Sequence, residues 1–281
     1  MEIKWDALRF AHDTVLLFVS DRPLTTKLKA LNELTRVFLK SNTSGGEHSV
    51  RISSQKVAYL DSRSLYYAYR DIFVRESYFF KPTHAAPLIL DCGANIGLAT
   101  LYFKSLCRDS EILAFEPDRL TFAVLERNIK DNCLKGVTAY NFALWDKDET
   151  IDFFVDEARP GMLLMGTDQS RTGGQKTTAV ARRLSVFIGT RSVDFLKLDV
   201  EGAEDRVLTE LASTGKLGLI KSMAVEYHTR KNSQSTLGNF LRLLENNGFQ
   251  YRISAASSPR SESGAVQDVM IFAKKRHRSN D

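Results

Sequence analysis

Acids at the ends of apolar runs mark where this 281-residue chain could do chemistry. The run Leu88-Ile-Leu-Asp-Cys-Gly-Ala-Asn-Ile-Gly97 is apolar up to Asp91, carries Gly93 and Gly97, and leads into the amphipathic stretch Leu98–Leu106. That order reads as strand, tight glycine loop and helix, the entry to a nucleotide-type site. The two glycines let the backbone turn sharply and lie against a ligand. Asp91 then stands at the carboxyl end of a strand, where open α/β sheets bind their ligands. The spacing D-x-G-x-x-x-G is not the dinucleotide fingerprint, and no G-x-x-x-x-G-K-[ST] phosphate loop occurs. An acid at the loop repels a polyphosphate and suits a ligand with an amino group and hydroxyls. A second run, Glu111–Glu116, ends in Glu116, where a carboxylate accepts hydrogen bonds from two ribose hydroxyls. The two acids together point to S-adenosylmethionine. The plainer alternative is a turn before a helix with Glu116 merely solvated.

A second group lies further along. Asp199 and Glu201 end one apolar run, and Glu226 and His228 end the next. Residues two apart on a strand share a face, so each pair can point the same way. Methyl transfer from a sulfonium is an in-line displacement that needs the acceptor held behind the methyl carbon. A hydroxyl acceptor also gains from a base. These residues predict His228 as general base, Glu201 orienting the substrate or the imidazole, and Asp199 placing the methionine part of the cofactor. The alternatives are His228 as a strand cap, Glu201 and Glu204 as helix N-terminal acids, and Glu226 paired with an arginine. Carboxylates and imidazole also suit Mg²⁺ or Mn²⁺, but the spacing is not diagnostic and no metal is expected.

The elements that must position these groups follow from periodicity. Strands are predicted at 87–91, 111–116, 137–143, 150–155, 193–198, 221–228, 250–254 and 266–274, with helices at 96–107, 118–133, 203–213 and 234–247. Asp118, after Pro117, suits a helix N-cap. Residues 157–178 are long for a loop and predict a lid or substrate-contact segment. Upstream, Ala7, Phe10, Ala11, Val15 and Phe18 fit one helical face, with Leu8 off it, and 28–38 repeats at three and four residues. A hairpin is predicted at 50–52 and 56–59. The aromatic stretch 65–80 predicts a helix or turn over the cofactor site, its rings serving mainly as core. Alternating strands and helices closed by an antiparallel pair give an α/β, doubly wound, Rossmann-like sheet of the class I methyltransferase kind. Residues 1–60 form an N-terminal helical extension with a hairpin, and 61–281 the S-adenosylmethionine-binding domain.

Four segments together resemble the FkbM family of S-adenosylmethionine-dependent methyltransferases: Asp91–Gly97, Ala114-Phe-Glu-Pro117, Asn141-Phe-Ala-Leu144 and Leu196-Lys-Leu-Asp-Val-Glu-Gly-Ala-Glu204. The resemblance runs from about Ile72 to Lys274. It implies O-methylation of a hydroxyl on a sugar, polyketide or other secondary metabolite. It also implies a cofactor site in which Asp91, Gly93, Asn95 and Gly97 line the methionine end, Glu116 holds the ribose, and Asn141, Phe142 and Ala143 lie near adenine. The chain departs from the family at Arg183-Leu-Ser-Val-Phe187, where a Thr-Leu-Asp-Asp-Leu-like segment is usual, so Ser185 and Val186 replace acids.

Composition narrows the remaining classes. The net charge is +5 and the pI about 9.0, but the excess is scattered apart from Lys274-Lys-Arg-His-Arg278. Nucleic acid is therefore not the expected partner; a small-molecule or glycan acceptor is. Three cysteines without metal spacing exclude a disulfide framework and a structural zinc site. No apolar run is long enough for a membrane span, and a cytoplasmic location is expected. The apolar stripes of residues 6–40 admit a homodimer or packing on the domain itself. An RNA or protein methyltransferase is the competing enzyme reading, against which the absence of an [DNS]-P-P-[YFW] segment counts for base-amine chemistry. A scaffold that has lost catalysis is the non-enzyme reading.

Overall fold

The computed structural model describes residues 2–40, 48–155, 166, 174–228, 236–255 and 268–276. Helices α1 (Glu2–Val19) and α2 (Leu24–Lys40) open the chain and are followed by the hairpin β1 (His48–Ile52) and β2 (Gln55–Tyr59). Helix α3 (Ser62–Tyr69) starts on Asp61, whose carboxylate accepts from the Ser64 N–H at 2.6 Å. It then widens into the turn Arg70–Val74, closed by the Arg75 N–H on the Arg70 carbonyl. Strands and helices alternate from there: β3 (Leu88–Cys92), α4 (Leu98–Leu106), β4 (Glu111–Phe115), α5 (Arg119–Asp131) and β5 (Val137–Tyr140). Three strands follow, β6 (Ala143–Trp145), β7 (Glu149–Val155) and β8 (Gln175–Arg183). The chain continues with α6 (Leu184–Ile188), β9 (Phe195–Leu198), α7 (Glu204–Ser213), β10 (Ser222–Tyr227), α8 (Leu237–Asn246), β11 (Phe249–Ala255) and β12 (Val269–Lys275).

Seven strands form one sheet in the order β11-β12-β10-β9-β3-β4-β5. Only β12 runs against its neighbours in this sheet; β10, β9, β3, β4 and β5 are mutually parallel. All five residues of β3 are buried, as a central strand covered on both faces must be. The two-residue period sorts its side chains. Ile89 joins Ile112, Phe195 and Ala224 in a core shared with α1 to α4, including Leu17, Leu34, Leu65 and Phe103. Leu88, Leu90 and Cys92 join Leu113, Leu198 and Val225 in a second core under α6, α7 and α8. The hairpin is tied to α5: Asn128 exchanges hydrogen bonds with the Ala58 backbone, and Asn132 with that of Lys56. These amides satisfy strand-edge groups that would otherwise be open. Among the described residues no helix is long and apolar enough to cross a membrane.

The structure corrects the sequence reading in several places. The strand expected at 137–143 breaks at Asn141 and Phe142, and β6 leaves the main sheet to pair with β8 beside β7. Strand β8 and helix α6 were not anticipated. Of the segment 157–178, residues 157–165 and 167–173 lie outside the described residues, and Gln175–Thr178 begin β8. The helix or turn expected over 65–80 ends by Val74, and Glu76 takes a left-handed φ of 53°. In α1 the buried line runs through Asp13 and Leu17, while Val15 and Phe18 turn outward. Of the basic tail, residues 277 and 278 lie outside the described residues, and Lys274 and Lys275 close β12.

Candidate active site

The parallel register brings the carboxyl ends of β4, β3, β9 and β10 into line, with Cys92 beside Phe115 and Leu198, and Leu198 beside Val225. The ends of β3 and β9 are followed by tight turns. Gly93 has φ 80°, and a Cβ there would collide with the Asp199 carbonyl oxygen. The absence of a side chain at this position is thus demanded by the neighbouring strand end, in addition to any ligand. Gly97 has φ 86°, and a Cβ there would meet Leu125 Cδ1 at 2.6 Å, so this glycine sets how α5 packs on the loop. Asn95 and Glu201 also sit at positive φ, 49° and 53°. Such residues cluster at functional turns because the surrounding structure must hold them there.

Two clefts open onto these turns. The first, of about 660 Å³, is lined by Phe115, Glu116, Phe142, Ala143, Leu144 and Phe153 on one side. The second, of about 780 Å³, is walled by Leu65, Ala68 and Ile72 from the N-terminal region, with Tyr78, Lys197 and Glu226. They share Gly93, Asn95, Asp199 and Glu201. Glu116 is fixed by two backbone donors, Asn95 N–H at 3.0 Å and Asp118 N–H at 2.9 Å. Burial pushes its carboxyl up to about 8, against the pull of those two donors. Asp118 caps α5 through the Thr121 N–H at 2.8 Å, as the sequence predicts.

The other residues expected to hold a cofactor divide into liners and braces. Gly93, Asn95, Phe142 and Ala143 line the first cleft. Asp91, Gly97 and Asn141 line neither. Asp91 is wholly buried and accepts from the Thr100 hydroxyl at 2.6 Å, while its Oδ1 has only Lys197 Nζ at 3.5 Å. The Asn141 amide donates to the Glu116 and Pro117 carbonyls at 2.8 and 2.9 Å, which fixes the turn that carries Glu116.

Lys197 was not singled out as a site residue. It is buried between Asp91 and Asp199, 3.2 Å from the latter, and donates to the Gly93 carbonyl at 2.6 Å. Burial lowers its basicity, but the Asp199 and Asp91 carboxylates outweigh that and keep it charged. Its spacing of two from Asp199 on one strand was the available signal. Tyr78 was also missed; its hydroxyl donates to Asp199 at 3.2 Å and faces Glu226 at 3.5 Å. Nothing in the spacing of the aromatic stretch marks that tyrosine apart from Tyr66 and Tyr69, which bond to the buried acids Asp13 and Glu33.

His228 does not stand where a free base would. Its Nδ1 is 2.8 Å from Glu204, and its Nε2 is 3.4 Å from Glu201 and 3.9 Å from Asp199. Burial alone would lower its pKa; the Glu201 and Glu204 carboxylates overcome this and raise it well above the ordinary histidine value. The imidazole lines neither cleft, and the carboxylates at both ring nitrogens favour its protonated form over the free base expected from the sequence. Glu204, the first residue of α7, also accepts from the Val200 and Gly202 N–H groups and so braces the Glu201 turn. Asp199, Glu226 and His228 bring donor atoms within 4.8 Å of one another. The Ser185 hydroxyl donates to the Glu210 carboxylate of α7.

The strand order, the glycine turn after β3 and the acid that follows β4 define a class I methyltransferase fold. A family model described as the Methyltransferase FkbM domain matches residues 91–251. Methyltransferase 1 of Beauveria bassiana is 30% identical over 229 residues, covering 74% of this chain and 89% of that protein. The 31-O-demethyl-FK506 methyltransferase FkbM of Streptomyces tacrolimicus is 27% identical over 227 residues, covering 69% and 85%. The solved FkbM methyltransferase of Methylobacillus flagellatus superposes with a TM-score of 0.44 at 16% identity, over 75% of this chain and 54% of that one. The chain belongs to the FkbM methyltransferase family and is a methyltransferase of the S-adenosylmethionine-dependent type.

Proposed function

We propose that the chain transfers the methyl group of S-adenosylmethionine to a hydroxyl of a small-molecule acceptor, such as a sugar or a secondary metabolite. The observation that carries this is the meeting of two unlike clefts at Gly93, Asn95, Asp199 and Glu201. The first cleft offers what an adenosine needs: an aromatic and aliphatic wall from Phe142, Ala143 and Leu144, and the Glu116 carboxylate for the vicinal ribose hydroxyls. Gly93, Asn95 and Asp199 would hold the methionine end, with Asp91, Gly97 and Asn141 keeping the loops in place. When bound, the cofactor supplies an electrophilic methyl carbon on a sulfonium.

The chain's own part is placement and charge. His228 positions Glu201, and Lys197 positions Asp199, so that carboxylates face the cationic half of the donor. A hydroxyl acceptor is supported by the relative whose name specifies a 31-O-demethyl substrate. The second cleft is lined by Asp71, Asp199, Glu201 and Glu226 against Lys197, a surface that disfavours a phosphate backbone.

Calorimetric titration with S-adenosylmethionine and S-adenosylhomocysteine tests the reading, with Glu116→Ala alongside. Micromolar binding is expected for the wild-type chain. Loss of the two hydrogen bonds to the ribose should weaken it by roughly 10- to 150-fold. A folded wild-type protein that binds neither compound would overturn the proposal.

A further inference from the structure

A third cleft, of about 780 Å³, abuts the second and includes Arg75, Arg252, Met270 and Phe272. The two share Asp71, Tyr78 and Glu226. Glu226 therefore stands where a molecule entering from the outer cleft would meet the turns that hold the cofactor. We infer that Glu226 is the proton acceptor of the reaction and that, with the Tyr78 hydroxyl, it seats the acceptor's OH opposite the transferring methyl group. This inference rests on the proposed methyl transfer to oxygen.

Elimination among the nearby bases supports it. His228 has carboxylates against both ring nitrogens, which favour its protonated form. Asp199 is held by the Lys197 ammonium and the Tyr78 hydroxyl, both at 3.2 Å. Glu201 faces the imidazolium. Glu226 has no cation within ion-pair distance among the described residues. The groups around it come from every side: Asp199 ending β9, His228 after β10, Asp71 in the turn after α3, Asp268 before β12, and Tyr78 from the segment before β3. Arg75 and Arg252 stand on the outer cleft. Burial and the Asp199 charge raise the Glu226 carboxyl to about 7, His228 opposing them. A base of that strength is about half ionised at neutral pH and is stronger than an ordinary carboxylate.

The step balances without another reactant. The acceptor oxygen forms a bond to the methyl carbon as the carbon–sulfur bond breaks, its electron pair going to sulfur. The hydroxyl proton passes to Glu226. The products are a methyl ether, S-adenosylhomocysteine and a protonated Glu226, which returns its proton to solvent through the outer cleft.

Sinefungin tests this without a known acceptor, because a charged amine replaces its transferable methyl group. Calorimetry would compare sinefungin with S-adenosylhomocysteine at pH 6 and pH 8 for the wild-type chain, Glu226→Gln and Glu226→Asp. The wild-type chain should prefer sinefungin by about 10-fold or more at pH 8 and less at pH 6, since an ion-paired hydrogen bond is worth roughly that much. Glu226→Gln should lose the preference at both pH values while its affinity for S-adenosylhomocysteine stays within about 2-fold; Glu226→Asp should keep part of it. A preference that survives in Glu226→Gln, or none in the wild-type chain, overturns the assignment. A wild-type chain that binds neither compound overturns the cofactor reading and this inference with it.

Discussion

At the scale of single residues, the site is a set of charges that cannot all be comfortable without ligand. Glu116 and Glu226 are carboxyls raised to about 8 and about 7, chiefly by burial. A raised group binds its proton more tightly folded than unfolded. Its stabilising contribution is full below the unfolded value of about 4.5 and is lost as pH rises through the folded value. His228 acts in the same direction: its clamp by Glu201 and Glu204 stabilises fully below about 6.5 and fades as pH passes its raised pKa. All three predict that the ligand-free protein loses stability from pH 6 to pH 8. Differential scanning fluorimetry should show the melting temperature falling by a few degrees over that interval, and Glu226→Gln should flatten part of the slope. A melting temperature that climbs from pH 6 to pH 8 would contradict the charge assignments. Nitrogen-15 NMR should likewise find His228 protonated on both ring nitrogens at pH 7.5; a neutral tautomer would remove the clamp. That Asp91, Glu116 and Asp199 stand at strand ends was legible in the sequence, because each ends an apolar run. Which residues line the clefts was not, because Asp91 and Asn141 are taken up by partners far away in sequence.

At the scale of elements, the turns do more than connect. Gly93 is the point where the β3 turn touches the β9 turn, so its substitution strains two strand ends at once. Gly93→Ala combines a left-handed backbone with a backbone collision and should cost at least about 3 kcal/mol in urea unfolding. Gly97→Ala meets only the end of the Leu125 side chain, which can swing, and should cost about 1–2 kcal/mol. Equal costs for the two would show that the Asp199 contact is not what constrains Gly93. The main sheet was legible because its strands are short apolar runs separated by helices of amphipathic pattern. The side sheet β6-β8-β7 was not. Its longest strand, β8, exposes Gln175, Lys176, Thr177 and Thr178 and carries little of the apolar alternation that marks a strand. The break between β5 and β6 is likewise a tertiary effect, set by the Asn141 amide turning to the Glu116 turn.

At the scale of the whole molecule, the N-terminal helices are part of the core on which the second cleft is built. The proposed boundary near residue 60 therefore separates sequence patterns rather than independent folding units. Leu17, Leu34 and Val37 are wholly buried and belong to the same apolar cluster as Ile89 and Phe103. The buried Asp13 and Glu33 receive the Tyr66 and Tyr69 hydroxyls of α3 at 2.9 and 3.0 Å. Arg22 donates to the Phe73 and Val74 carbonyls at the end of the turn after α3. These contacts hold in place Leu65, Ala68 and Ile72, the apolar wall of the second cleft. The first cleft takes its walls from residues 93–203. Removing residues 2–40 would uncover that apolar cluster and leave two buried tyrosine hydroxyls without acceptors, each costing about 1–3 kcal/mol. The expected outcome is a protein that melts more than about 10 °C lower or aggregates, since each kcal/mol corresponds to about 2–4 °C in a chain of this size. Where it remains folded, it should keep S-adenosylhomocysteine binding better than acceptor turnover, because the damage falls on the wall of the second cleft. A truncated chain melting within about 3 °C of the full one would show that α1 and α2 sit on the sheet without supporting it.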